Sequence, residues 1–196
     1  MDKEKLKKNF ERHGFHVSFF ESEKEVRDYV KSLASGSSVG IGGSMTVEQC
    51  GIYDELVKVS DVFWHWKDKS PDVLKNAANA DFYILSANGV SESGELVNID
   101  GSGNRVSASL YGPRHVIYII GENKIEPDLS SAIYRARNVA AVKNAERLSR
   151  NTPCVKEGHC FDCSSMECIC NGSVTVSHPM NGQTVELLFV EKPLGF

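Results

Sequence analysis

Strand-length apolar runs alternate along this chain with segments of helical period, and the strands repeatedly hand over to glycine turns. Such an alternation restricts the fold to strands joined by helical crossovers, which means a parallel sheet with helices packed on its faces. Residues 3–12 read as a surface helix ended by His13-Gly14, and residues 15–20 have the aromatic and β-branched content of a strand. Ser22 supplies a helix N-cap with Glu25 three residues on, and Val26, Val30 and Leu33 keep helical spacing up to Gly36. Residues 39–46, VGIGGSMT, read as a strand running into a glycine turn, followed by helix-compatible residues 47–59. A third strand at 62–64 precedes a short helix entered through Ser70-Pro71, with proline at the tolerated first turn. Residues 82–85 form the fourth. The most apolar run, HVIYII at 115–120, reads as a strand buried on both faces, hence near the middle of the sheet. Pro127-Asp128 opens the longest helix, with Leu129, Ile133, Ala136, Ala140 and Leu148 on one broad face, and residues 174–177 and 185–190 are expected to close the sheet. The expected fold class is α/β, a mostly parallel sheet with helices on both faces plus one antiparallel hairpin.

That hairpin is expected in the stretch ADFYILSANGVSESGELVNIDGSGNRVSASLYGPR, residues 80–114, where a short apolar strand stops at Ser86 and turn chemistry takes over. Residues 95–99 would pair with 105–110 across Asp100-Gly101-Ser102-Gly103. The same loop carries Gly101 and Gly103, where backbone can approach a ligand, together with the donors and acceptors of Asn98, Asp100, Asn104 and Arg105. Loops at strand ends carry most ligand contacts in α/β proteins, so a hairpin and a binding loop are compatible readings.

At 196 residues the chain is expected to build one large core, a single domain over 1–196 with a cysteine-rich segment at 152–171. A net charge of −4 and a pI near 5.9 give no electrostatic reason to expect nucleic acid or a bilayer surface as partner. No run of about 18 apolar residues suits a membrane span, and the charged start MDKEKLKKNF lacks the apolar core of a signal peptide, so a cytoplasmic location is expected. In that compartment the six cysteines read first as ligands, redox groups or buried hydrophobes rather than as disulfides.

Three constellations carry candidate chemistry. In GIGGSMT, residues 40–46, backbone N–H groups at a strand-to-helix junction would face an anion, with Gly42, Gly43, Ser44 and Thr46 as binding residues; a tight βα turn is the other use of these glycines. The stretch lacks a P-loop lysine and dinucleotide-fingerprint spacing. Glu48, one turn on, is a candidate acid, base or nucleophile, although a first-turn carboxylate also suits the helix dipole. Asp100 is the second candidate catalytic carboxylate; Asn98, Gly101, Gly103, Asn104 and Arg105 are candidate ligand contacts, Arg105 by gripping a carboxylate or phosphate through two parallel hydrogen bonds. The third is Cys154-x5-Cys160-x2-Cys163-x4-Cys168-x-Cys170. Four thiolates suit structural zinc or an iron–sulfur cluster, and reduced thiols without metal are the remaining alternative.

GIGGSMTVEQCGI (40–52), ADFYILSANGVSESGELVNIDGSGNRVSASLYGPRHVIYIIGENKI (80–125) and NAERLSRNTPCVKEGHCFDCSSMECICN (144–171) together resemble the LUD-domain, or lactate-utilisation, family of bacteria and archaea over nearly the whole chain. The resemblance implies a fold similar to ribose-5-phosphate isomerase and the CoA transferases, with a substrate anion against the glycine loop and acidic residues of the 98–104 loop in the chemistry. Some members are associated with oxidation of L-lactate to pyruvate alongside iron–sulfur subunits. Cys154, Cys160, Cys163 and Cys170 match the short, cysteine-containing branch, as metal ligands in that reading; Cys168 stands where an arginine is expected and leaves a spare thiol. Two functions follow. One is an enzyme or enzyme subunit binding a small carboxylate or phosphorylated metabolite at the glycine-rich loops. The other is a noncatalytic accessory or electron-transfer subunit that partners iron–sulfur oxidoreductase subunits, with an iron–sulfur cluster or zinc on the cysteines.

Overall fold

In the computed structural model, which describes residues 2–196, the chain divides its strands between two sheets. Helix α1 (Lys3–Arg12) starts at the Asp2 carboxylate, which accepts the Lys5 N–H at 3.0 Å, and buries Leu6 and Phe10, one turn apart. Strand β1 (His16–Phe20) leads to α2 (Glu23–Leu33), whose N-cap Ser22 accepts the Glu25 N–H at 3.3 Å. Then come β2 (Ser38–Ile41), the short helices α3 (Met45–Gln49) and α4 (Ile52–Leu56), β3 (Asp61–Phe63), α5 (Val73–Ala78) and β4 (Phe82–Leu85). Strands β5 (Gly89–Ser91) and β6 (Glu95–Asp100) precede α6 (Asn104–Leu110), β7 (His115–Gly121), a 3₁₀ turn over Glu122–Lys124 and β8 (Ile125–Glu126). A continuous helical rod follows as α7 (Leu129–Arg135), a wider π segment at Ala136–Ala140, and α8 (Ala141–Arg147); α9 (Pro153–Glu157), β9 (Gly172–Val176) and β10 (Thr184–Val190) complete the chain.

The main sheet has six parallel strands in the order β1-β10-β7-β4-β2-β3, so the apolar β7 lies in the interior as expected. Alternate residues face opposite layers: Tyr118 and Ile120 pack toward α1, α5 and α6, whereas Ile117 and Ile119 pack toward α2, α3 and α4. The second sheet, β8-β5-β6-β9, continues from the C-terminal end of β4. Val90, Leu96 and Val176 join it to the α1 side of the main core, and Val97 and Ile99 on its other face meet Ala132, Ala136 and Ala141 of the helical rod. No helix among the described residues is long and apolar enough to cross a membrane.

Two sequence expectations are corrected. Residues 104–110 are helical, and the antiparallel hairpin is instead β5–β6, because both edges of β6 are occupied by β5 and β9. Gly103, in the left-handed region at φ +80°, turns the chain, and Asp100 Oδ2 accepts the Val106 N–H at 3.1 Å to start the helix. Strand β9 likewise belongs to the second sheet, since β10 fills the place between β1 and β7.

Removing the α2 cap with Ser22→Ala is expected to cost about 1 kcal/mol in urea unfolding, because the Glu25 N–H loses its partner.

Candidate functional site

Strands β2, β4 and β7 end side by side, and their continuations enclose a cavity of about 300 Å³. After β2, the Gly42 N–H still donates to the Ile84 carbonyl at 2.9 Å; a Cβ on Gly42 would come within 2.9 Å of Arg105 Cγ, so only glycine lets this loop lie against α6. Gly43, Ser44, Met45 and Thr46 then line the cavity. The β4 end adds Ser86, Ala87 and Asn88, the turn after β7 adds Lys124, and the residues beyond β3 add His65 and Trp66. Ile99, Asp100, Ser102, Asn104 and Arg105 come from the second sheet and α6, and Asn144, Arg147, Leu148, Arg150 and Phe196 complete the wall. The two polar loops marked in the sequence, 42–46 and 98–105, thus border one space at the C-terminal edge of the parallel sheet, where crossovers diverge.

The lining is rich in basic side chains, Arg105, Arg147, Arg150 and the buried Lys124, against Asp100 as the one acidic side chain. Arg105, almost enclosed, spends its guanidinium on the protein itself. Nη1 donates to Asn98 Oδ1 at 3.1 Å, Nη2 donates to Asn88 Oδ1 at 3.1 Å and to the Ile99 carbonyl at 2.6 Å, and Nε lies 3.7 Å from Asp100 Oδ2. This arginine ties the two loops together, and its fork is not free to grip a ligand. Arg147 is differently placed. Nε and Nη2 donate to Asn144 Oδ1 at 3.0 and 2.8 Å, and the guanidinium lies 4.9 Å over the Trp66 ring. Its Nη1 meets no protein acceptor among the described residues.

Lys124 is buried, with Nζ within 2.8 Å of Thr46 Oγ1, 2.9 Å of Ser86 Oγ and 3.1 Å of the Ala87 carbonyl. Burial first, then the Arg135 and Arg105 charges, hold its pKa well below the ordinary lysine value of 10.5. Between that lowered value and 10.5 the unfolded chain binds the extra proton, so this group makes stability rise with pH across that window and fall as pH drops through it. The slope is up to about 1.4 kcal/mol per pH unit, one proton's worth. Urea unfolding of wild type and Lys124→Met across the alkaline range should differ by this rise, present in the former and missing in the latter.

Of the other residues singled out in the sequence, Gly43, Ser44, Thr46, Asp100, Asn104 and Arg105 line the cavity. Asn98 is buried behind it as an acceptor for Arg105. Gly103 caps α6, and Gly101 packs against Ile169 of the cysteine segment. Glu48 points elsewhere, in an ion pair with Lys67 at 2.8 Å. Sequence reasoning missed Lys124 and Arg147. Lys124 closes the short turn that follows the most apolar strand, the same strand-end signal that marked the glycine loop; Arg147 carried no signal beyond lying outside the apolar face of its helix.

Cys154, Cys160, Cys163, Cys168 and Cys170 all line a second, smaller cavity of about 70 Å³. Asn138 of the π segment anchors this loop by accepting the Cys160 N–H at 3.0 Å, and the Asn171 amide donates to the Gly101 carbonyl at 2.9 Å. Cys160 and Cys168 sulfurs accept N–H bonds from Asp162 and Cys170, each at 3.4 Å. Among the described residues no group of three or more His, Cys, Asp or Glu side chains is arranged to hold a metal ion. The donor set suits a metal, but the loop does not close the sulfurs around one point. Ile99 lines both cavities, and α8 turns Ala141 and Ala145 to one and Asn144 and Arg147 to the other. Cys50 is a separate, buried thiol pushed up to about 12 by burial, and it touches neither.

The family model described as the LUD domain matches residues 3–187. Among solved structures, a DUF162 family protein from Deinococcus radiodurans is similar in fold, with a TM-score of 0.56 over 95% of this chain and 94% of that one at 14% identity. No curated protein matches the sequence significantly.

Proposed function

The chain belongs to the LUD-domain family, and on that premise we propose that it serves lactate utilisation by binding a small carboxylate or phosphorylated metabolite in the cavity at the ends of β2, β4 and β7. The observation that carries this reading is the set of three arginines, Arg105, Arg147 and Arg150, against Asp100 as the one acidic side chain in a cleft formed by strand ends. Arg147 is the primary anion contact, since Trp66 and Asn144 orient its guanidinium while leaving Nη1 for a ligand. Ser44, Thr46, Asn104 and Arg150 surround the rest of the molecule. Asp100 is the one carboxylate available there for proton transfer, whereas Glu48 lies outside the cavity wall. Calorimetry with lactate, pyruvate, sugar phosphates and CoA tests the reading. Arg147→Ala is expected to weaken binding of the best of these by about 10- to 150-fold, the equivalent of a charge-assisted hydrogen bond. Unchanged affinity would remove Arg147 from the site, and no binding by any of the four would remove the site.

The accessory reading has its own support in the five cysteines that line one cavity and share the Ile99 wall with the first. In that reading Cys154, Cys160, Cys163 and Cys170 hold an iron–sulfur cluster, or zinc, after the loop closes on it, and Cys168 is spare. A cluster would supply one-electron transfer next to the anion cavity. Iron–sulfur oxidoreductase subunits in the cytoplasm are the corresponding partners.

A further inference from the structure

We propose that Lys124 is a nucleophilic amine that forms an imine with a carbonyl-bearing anion, either a 2-oxo acid or a carbonyl-containing sugar phosphate. The inference rests on the reading of the cavity as an anion site and goes beyond it by naming the reacting group and the bond it makes.

The argument starts from what surrounds Nζ. All three of its partners, Thr46 Oγ1, Ser86 Oγ and the Ala87 carbonyl, are uncharged, and no carboxylate among the described residues comes within ion-pair distance of it. The charges of Arg135 and Arg105, which act on it most strongly, are of like sign. An ammonium enclosed in this way has only neutral acceptors and no counter-charge to offset its desolvation, which favours the amine. An amine has two N–H donors and one lone pair, so it donates to two of these three acceptors at a time and keeps the lone pair for a carbonyl carbon. Thr46 uses its own hydroxyl proton on the Leu194 carbonyl at 3.3 Å and therefore accepts from Nζ, as does the Ala87 carbonyl. Ser86, which lines the cavity, likewise turns its hydroxyl proton to the Ala87 carbonyl at 3.4 Å and accepts from Nζ.

The main chain closes over this group from one side. Gly195 sits at φ +64°, and a Cβ there would overlap Thr46 Oγ1 and come within 3.3 Å of Lys124 Nζ. Backbone thus excludes bulk water from the amine while the cavity side stays lined by polar groups. Lysines made reactive by desolvation beside other cations are the ones that attack carbonyl groups. The cationic wall would hold the anionic part of such a molecule with its carbonyl carbon toward Ser86 and Lys124.

The step balances without any external oxidant or reductant. The nitrogen lone pair forms the N–C bond as the carbonyl π pair moves to oxygen, which takes a proton while nitrogen gives one up. The hydroxyl then leaves as water, so amine and carbonyl become imine and water. Ser86 is placed to hand on a proton. His65 lines the same cavity, and its buried Nδ1 has no protein partner among the described residues.

The test treats the whole protein at neutral pH with cyanoborohydride and one of three probes: 2-oxobutyrate, dihydroxyacetone phosphate, or neutral acetone. Peptide mapping by mass should find one reduced adduct at Lys124 with an anionic probe, enriched about tenfold or more over any surface lysine because those are mostly protonated. Which anionic probe labels identifies the class, and acetone should label Lys124 least. Modification spread over surface lysines without enrichment at Lys124, under conditions where calorimetry shows the same probe bound, overturns the nucleophile and leaves the anion site standing. Absence of both binding and adduct removes both. Lys124→Met should abolish the adduct, and if that variant fails to fold the wild-type map decides the question by itself.

Discussion

Replacing Arg105 with alanine is expected to destabilise the fold by about 3 kcal/mol or more, because the loss strands several buried acceptors at once. Asn98 Oδ1 and the Ile99 carbonyl would each lose a charge-assisted donor, and Asn88 Oδ1 would keep only the Ile99 N–H at 2.8 Å. The Asp100 carboxylate, which begins α6 through the Val106 N–H, would lose the cation 3.7 Å away. Since Arg105 Cγ also supports the loop at Gly42, the cavity should loosen along with the fold. Urea unfolding at neutral pH measures the first effect, and anion calorimetry on the folded fraction measures the second. Arg105→Lys should recover little, as a single ammonium cannot span Asn88, Asn98 and Ile99 together. If Arg105→Ala unfolded at the wild-type midpoint and lost only ligand affinity, the bridging role would be wrong and direct anion contact by its fork would return.

That contrast marks where the sequence could be read. Strand-helix alternation, the Ser22 cap and the doubly buried run in β7 are local patterns, and each lay where periodicity put it. Membership of the second sheet was not local. Residues 104–110 contain alternation enough for a strand, but whether they pair depends on the edges of β6, which β5 and a segment some seventy residues later take up. For the same reason the sequence placed Gly43, Ser44, Asp100 and Asn104 at one cleft, because strand ends in a parallel sheet share an edge, yet it gave no sign that Arg105 is bonded to Asn88, Asn98 and Ile99. A guanidinium can serve a ligand or the protein, and only the positions of Asn88 and Asn98 decide between them. Lys124 was overlooked although it follows the most apolar strand, since a strand end marks a place near a site but not that a lysine amine there is enclosed. Glu48 was overvalued because a first-turn carboxylate has the same appearance whether it faces a cleft or, as here, Lys67.

The largest effect is expected at the cysteines. Metal binding to a thiolate site at neutral pH carries about 10 kcal/mol of apparent free energy in small zinc domains, and where the free loop is open that energy acts as local folding energy. The loop between α9 and β9 has the character of such a segment: Phe161 and Met166 are exposed, Asp162 sits at positive φ, and its anchors are a few polar bonds to Asn138, Gly101 and Arg137. Little apolar burial opposes its rearrangement, so drawing four sulfurs together costs little against the metal–sulfur bonds gained. Protein isolated without oxygen is therefore expected to contain iron in stoichiometric amount with the visible absorption of a cluster, and to resist proteolysis between Gly158 and Asn171. Cys154→Ser, Cys160→Ser, Cys163→Ser and Cys170→Ser should each release the metal and expose that stretch. Cys168→Ser is the discriminating variant, because all five thiols border the same cavity and geometry alone does not set Cys168 aside. It should keep the metal if the cysteine spacing has been read correctly. Zinc in place of iron, colourless but equally protective, would keep the knuckle and discard electron transfer. Anaerobic protein with neither metal, and with Cys154→Ser as protease-resistant as wild type, would leave the five thiols a packing feature and make the anion cavity the sole basis for function.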